Sequence, residues 1–155
     1  ADELTEEIWD LEMNVNAKGN YLVTQAVVPH MIAVRYGKIV NASSICGKQG
    51  TPEFCSYTAS KFAVTGITQT LGKELAQYNI NVNAIAPGYF LTEMTRSLFE
   101  NKEWTKRLLQ KIPLNRIGNP EDLDGIVIFL SSEASDYITG ETFVVDGGFM
   151  AGENL

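Results

Sequence analysis

Tyr57 and Lys61 stand four positions apart in the stretch Tyr57-Thr58-Ala59-Ser60-Lys61, and Ser44 precedes Tyr57 by thirteen positions. On a helix, residues four apart lie one above the other on the same face. A phenol and an ammonium held that way form an acid–base pair. A free phenol titrates near pH ~10, and a cation within roughly 4–6 Å favours the phenolate. That moves the proton toward the range in which it can be exchanged near neutral pH. A serine hydroxyl close by could hold a substrate oxygen against the phenol. These parts can move a proton on or off an alcohol or carbonyl oxygen. The same spacing also arises as an exposed pair on a solvated helix, so the surrounding elements decide between the two.

Those elements follow from the local pattern. Residues 37–44 join a turn glycine, a short apolar run and small polar residues. They predict a buried strand with Ser43 and Ser44 at its carboxyl end, the end at which open parallel sheets bind ligands. Gly47 and Gly50 predict a mobile loop, and Thr51-Pro52-Glu53 a helix entry with proline near the first position. The helix carrying Tyr57 and Lys61 is expected to reach about residue 78. Residues 80–86 predict a second strand, stopped by Pro87-Gly88. Residues 89–95 then form a loop on the same edge as Ser44, and the amphipathic residues 99–111 have the character of a lid. Asn119-Pro120-Glu121-Asp122 reads as cap, proline and first-turn acids of a helix ending near Ser131. Ser135-Asp136-Tyr137 is expected to turn, and residues 140–148 to form a third strand.

Upstream, Thr5 caps a helix with Glu6 and Glu7 in its first turn. A second helical stretch, residues 17–35, is expected to bend at Pro29. Asn14 and Asn16 fall at the junction, either as local caps or as polar groups aimed at a site. His30, the single histidine, is expected to be structural. Strands alternating with helices predict an α/β parallel sheet.

The chain of 155 residues, 45% hydrophobic, predicts one domain over residues 1–155. The net charge of −7 argues against a nucleic-acid partner, and Lys102, Lys106, Arg107 and Lys111 are expected to form a solvated helix face. No apolar run reaches the ~18 residues of a membrane span, and the acidic start lacks a signal-peptide pattern. Cys46 and Cys55 fit no metal spacing and no disulfide framework, so no metal is expected. A reducing cytoplasmic location fits, with each cysteine either near the site or a small filler.

Taken together, these motifs resemble the C-terminal part of the short-chain dehydrogenase/reductase family. Asn16, in Met13-Asn14-Val15-Asn16, falls where that family has its active-site asparagine. Ser44, Tyr57 and Lys61 match its serine and Y-x-x-x-K pair. The segment from Asn83 to Gly88 and Thr92 match the approach to the nicotinamide. Ile138-Thr139-Gly140 and Val145-Asp146-Gly147-Gly148 match the last strand. The resemblance implies a Rossmann-type doubly wound parallel sheet and hydride transfer between NAD or NADP and a secondary alcohol or ketone. It implies Tyr57 as acid/base, Ser44 as the group polarising the carbonyl, and Lys61 as the residue lowering the phenol's pKa and binding the nicotinamide ribose. Asn16 would hold a relay water, and Pro87, Gly88, Phe90 and Thr92 would grip the nicotinamide. Substrate contacts are expected from Ser44, Cys46, Gln49, Phe54 and Tyr89, for a polyol, a sugar acid or a 3-oxoacyl group.

The family's glycine-rich T-G-x-x-x-G-x-G turn has no counterpart here. By the family pattern roughly 100 residues precede the first motif. The expectation is therefore a partial domain, the C-terminal half of the sheet, with an unpaired edge on the strand that leads to Ser44. A homo-oligomer, tetramer or dimer, is also expected. The alternative is an inactive fragment that serves only as an oligomerisation or interaction module.

Overall fold

In the computed structural model, which describes residues 3–151, three strands run parallel in the order β1-β2-β3. β1 is Gly37–Ala42, β2 is Ile80–Pro87 and β3 is Thr142–Val145. Gly37 pairs with Ile80 and Ala42 with Ile85, while Ala84 to Pro87 pair with Thr142 to Val145. The central strand, Ile80-Asn81-Val82-Asn83-Ala84-Ile85-Ala86-Pro87, is buried along most of its length, with Val82, Ala84 and Ala86 fully so. A strand covered on both faces needs this near-continuous apolar run.

Helices α1 (Glu6–Glu12), α2 (Gly19–Val34) and α3 (Cys55–Leu75) precede or join the strands. Leu75, Ile80 and Val82 form the core beneath them, with Val28, Met31, Ile32, Ile39, Leu71 and Tyr78 packed around it. Thr5 caps α1 by accepting from the Ile8 N–H at 3.3 Å. Between α1 and α2 the ladder widens into a π turn, Met13–Lys18, where the sequence predicted a junction. Pro29 lies inside α2, which continues to Val34.

Three further expectations are corrected. Pro52 does not open α3: it lies in a turn with Glu53 at φ 71°, and α3 starts at Cys55. The lid is split into α4 (Arg96–Phe99) and α5 (Lys102–Leu109). Asn101 interrupts it, because its side chain accepts from the Trp104 N–H at 3.0 Å and so caps α5. The third strand is only four residues long, since Gly147 and Gly148 adopt positive φ and Asp146 accepts from the Gly148 and Met150 N–H groups at 2.8 Å. The expected helix start at Asn119 is present: Asn119 and Asp122 form a capping box around a 3-10 turn, Pro120–Leu123, which leads into α6 (Asp124–Leu130).

β1 is an edge strand among the described residues. The Ser43 N–H donates to the Ile85 carbonyl at 2.8 Å. Backbone direction alternates along a strand, so the Ile39 and Asn41 amides also face β2 and those of Lys38 and Val40 face outward. Among the described residues no helix is long and apolar enough to cross a membrane.

Candidate active site

The carboxyl end of β1 and the first turns of α3 meet at Ser44, Tyr57 and Lys61. Ser44 is buried and extended (φ −165°), and it caps the 3-10 turn Ile45–Gly47 by accepting from the Cys46 N–H at 3.1 Å. That turn, where a mobile loop was expected, is locked against α3. Gly47 is buried, and a Cβ there would lie 2.7 Å from the Lys61 carbonyl oxygen. Ser43 completes the lock, donating to the same carbonyl at 3.2 Å with Thr65 Oγ1 at 3.1 Å. The rest of the site can be precise because this corner is rigid.

On α3, Lys61 Nζ stands over the Tyr57 ring, 5.5 Å from its centroid, and donates to the Ala42 carbonyl at 3.0 Å. The two residues project side by side, as their spacing predicted. The expected lowering of the phenol's pKa is corrected, however. Burial pushes Tyr57 up from its ordinary value; a bond with Ser44 pulls it down, and the charges of Cys46 and Glu12 push it further up. Lys61 is itself pushed down by burial, with Cys46 opposing. Desolvation penalises both charged forms, and the ammonium lies over the ring face and on Ala42, not at the hydroxyl.

Asn16 lies in the π turn, and its Nδ2 donates to Ser60 Oγ at 3.0 Å. Ser60 in turn donates to the Tyr57 carbonyl at 2.7 Å. The side chain thus ties the π turn to α3, one turn from the phenol. A π turn sets backbone carbonyls off the α-helical register, and such turns recur at functional sites.

Beyond β2, the Gly88 N–H donates to the Val145 carbonyl at 2.9 Å. Pro87 is the last residue of the strand. Phe90 forms a parallel bridge to Gly118 through Leu91 N to Gly118 O at 2.8 Å and Gly118 N to Tyr89 O at 2.9 Å. In a parallel bridge the middle residue's own N–H points to the opposite side. The Phe90 amide therefore faces away from Gly118. Thr92 is exposed and turns with Thr95, whose Oγ1 stands 3.0 Å from both the Thr92 N and the Thr92 Oγ1.

Of the expected substrate residues, Cys46 Sγ lies 3.2 Å from Thr51 Oγ1. Phe54 meets the Tyr57 ring edge-on at 6.3 Å. Gln49 is exposed, and its backbone N–H donates to the Ile45 carbonyl at 3.1 Å. A cavity of about 180 Å³ is walled by Tyr89, Phe90, Arg116, Asp122 and Asp146 among others. Arg116 and Asp122 are already bonded to one another at 2.6 and 2.8 Å, and the Asp146 carboxylate accepts from the Gly148 and Met150 N–H groups. Ser60, Thr95 and Glu12 were not singled out from the sequence. Ser60 lies within the Tyr57–Lys61 stretch, but its partner is 44 positions away.

Among the described residues no group of three or more His, Cys, Asp or Glu side chains could hold a metal ion. The family model described as enoyl-(acyl carrier protein) reductase matches residues 1–150. A 3-oxoacyl-acyl-carrier-protein reductase from Thermotoga maritima is 48% identical over 147 residues, 95% of this chain and 59% of the relative. A 2-dehydro-3-deoxy-D-gluconate 5-dehydrogenase from Dickeya dadantii is 47% identical over 152 residues, 97% of this chain and 60% of the relative. The crystal structure of a gluconate 5-dehydrogenase from Burkholderia cenocepacia, in complex with NADP and tartrate, superposes with a TM-score of 0.96 at 38% identity, covering 98% of this chain and 60% of that one. The chain thus spans 59% and 60% of the length of the two curated relatives.

Proposed function

The chain belongs to the short-chain dehydrogenase/reductase family, and on that premise we propose that it carries the catalytic centre of an NAD(P)-dependent oxidoreductase interconverting a secondary alcohol and a ketone. The observation that carries this reading is the convergence of Ser44, Tyr57 and Lys61 at the carboxyl end of β1.

The residues present fit a nicotinamide nucleotide. Phe90 offers a backbone N–H turned away from its bridge partner, Thr92 an exposed hydroxyl, and Pro87-Gly88 a fixed strand end beneath them. Lys61 uses one donor on Ala42, and an ammonium has three, so two remain for a ribose. Bound there, the cofactor supplies the hydride acceptor or donor. The chain's own work is proton transfer and placement. In the reductive direction the Tyr57 phenol gives its proton to the substrate oxygen and becomes phenolate, and in the oxidative direction the phenolate takes the alcohol's proton back. Ser44 donates to the same oxygen and holds it against the phenol. Asn16, bonded to Ser60, fixes the π turn beside α3 and the route by which a water could reprotonate the site.

Residues 1–155 are read as one partial nucleotide-binding domain. The open edge of β1 supports this, as does the share of the relatives' length that the chain spans. The substrate is read as a polyol, a sugar acid or a 3-oxoacyl group. The names of the similar enzymes support this. Exposed Val15 and Val23 along the helical face, 63% and 68% accessible, and Phe62 on α3 support assembly into a dimer or tetramer. The same exposure favours the second reading, an interaction module without turnover.

The deciding experiment follows NADPH consumption with 5-keto-D-gluconate and a 3-oxoacyl thioester. Turnover that falls at least ~100-fold in Tyr57→Phe, the scale of a lost general acid, is the expected result. Unchanged turnover in that variant would remove Tyr57 from the chemistry. NADPH binding with no turnover in the unaltered chain would instead leave the interaction module standing.

A further inference from the structure

Ser60 stands inside the Tyr57–Lys61 turn of α3 and is fully buried. Its hydroxyl has two partners: it donates to the Tyr57 carbonyl at 2.7 Å and accepts from Asn16 Nδ2 at 3.0 Å. In the α-helical ladder the same carbonyl takes the Lys61 N–H. One oxygen therefore carries both the backbone bond that spaces Tyr57 from Lys61 and a side-chain bond beside it. A hydroxyl that bonds back to a helix carbonyl tends to bend the helix.

The carbonyl one turn further on is loaded as well. Ser43 Oγ, from the end of β1, stands 3.2 Å from the Lys61 oxygen, as does Thr65 Oγ1. The reacting turn is thus held by the π turn on one side and by the end of β1 on the other. Thr68, two turns beyond Ser60 on α3, is built the same way. It is fully buried, donates to the Val64 carbonyl at 2.8 Å and accepts from Asn41 Nδ2 at 2.9 Å. The difference lies in the carbonyl it holds, which belongs to neither Tyr57 nor Lys61.

We propose that Ser60 is a positioning residue for the reaction: through the Tyr57 carbonyl it sets the tilt of the turn that carries the phenol and the ammonium, and Asn16 acts on Tyr57 through it. The proposal rests on the reading of Tyr57 as the acid/base residue. The bonds run one way. Ser60 commits its only hydrogen to Tyr57, so it meets Asn16 with lone pairs alone, and the amide must turn its NH2 toward α3.

In an active preparation Ser60→Ala is expected to lower kcat about tenfold, with KM within about twofold. Asn16→Ala should cause a smaller loss, and none on top of Ser60→Ala. Thr68→Val, which removes the matching hydroxyl, should lower the melting temperature but keep kcat within about twofold. A second readout needs no turnover. In ¹³C-tyrosine NMR the Tyr57 titration should move up in Ser60→Ala, and less in Asn16→Ala, because a tilted phenol leaves Ser44, the group that eases its ionisation against the push of Cys46 and Glu12. It should stay in place in Thr68→Val. A Ser60→Ala chain that is folded by circular dichroism and keeps the parent's kcat or the parent's titration overturns the proposal. So does a Thr68→Val chain that loses as much turnover as Ser60→Ala, or an Asn16→Ala loss that simply adds. Should Ser60→Ala fail to fold, Asn16→Ala decides alone: an unmoved Tyr57 titration overturns the proposal. Unchanged turnover in Tyr57→Phe would remove the enzyme reading and leave the titration result standing on its own.

Discussion

Tyr57 holds its proton more tightly than a free phenol because its ring is desolvated and two acidic groups, Cys46 and Glu12, face it; Ser44 is the one group that eases ionisation. Removing that hydroxyl should therefore raise the phenol's pKa further. Ser44→Ala is expected to move the ascending limb of alcohol oxidation, where the phenol must ionise to act as base, to higher pH, beyond its loss of rate. The Tyr57 signal in a ¹³C-tyrosine NMR titration, assigned by its absence in Tyr57→Phe, should shift with it. The sign for stability follows: a folded pKa above the unfolded value stabilises the fold below the ordinary value of 10.0, and that contribution is lost as pH rises beyond it. At this scale the sequence was legible wherever chemistry is local. The four-residue spacing of Tyr57 and Lys61 needs only a helix to bring them together. The balance of forces on the phenol was not legible, because burial and the approach of Glu12 come from packing between helices.

The helix starts and close contacts of individual elements make two further tests. Asp122 is held at about 2, first by its bonds to Arg116 and then by the Asn119 N–H. A depressed carboxylate contributes stability above its ordinary value of 3.8 that disappears as pH falls through about 2. Asp122→Asn should therefore lower the urea midpoint near neutrality and converge with the parent chain at low pH. The effect is modest, since the pair is open to solvent. On α3, two glycines should answer in opposite senses. A Cβ at Gly72 would lie 2.7 Å from the Gly140 backbone nitrogen, whereas one at Gly66 meets nothing within 4 Å. Gly72→Ala is expected to cost about 1–3 kcal/mol by overpacking, and Gly66→Ala to add up to about 1 kcal/mol through helix propensity. Thermal melts of the two variants decide the matter. The helix start at Asn119–Asp122 was readable because a cap, a first-turn proline and first-turn acids are contiguous in sequence. Pro52 misled because proline suits a turn as well as a first helical position, and Glu53's positive φ has no sequence signal.

At the scale of the whole fold, among the described residues, three parallel strands with one side of β1 unpaired make a sheet that ends abruptly. Alternation of apolar runs with helical stretches was enough to predict that sheet and its order along the chain. The sideways order β1-β2-β3 was not written in any local pattern. Hydrogen exchange offers a direct check: the outward amides of Lys38 and Val40 should exchange faster than those of Ile39 and Asn41, which face β2. Equal protection would mean that a second copy or another chain covers the edge. The π turn at Met13–Lys18 carries a different consequence. Such a turn is what one surplus residue makes of an α-helix, so deleting a single residue there would heal the spiral instead of breaking it. Each residue of an α-helix advances about 100° and 1.5 Å, so α1 would swivel by that angle while α2 stayed docked, and Glu12, its last residue, would turn with it and change its push on the phenol. A fold that survives such an excision with its proton chemistry retuned would show that the surplus residue is there for the site and not for the scaffold.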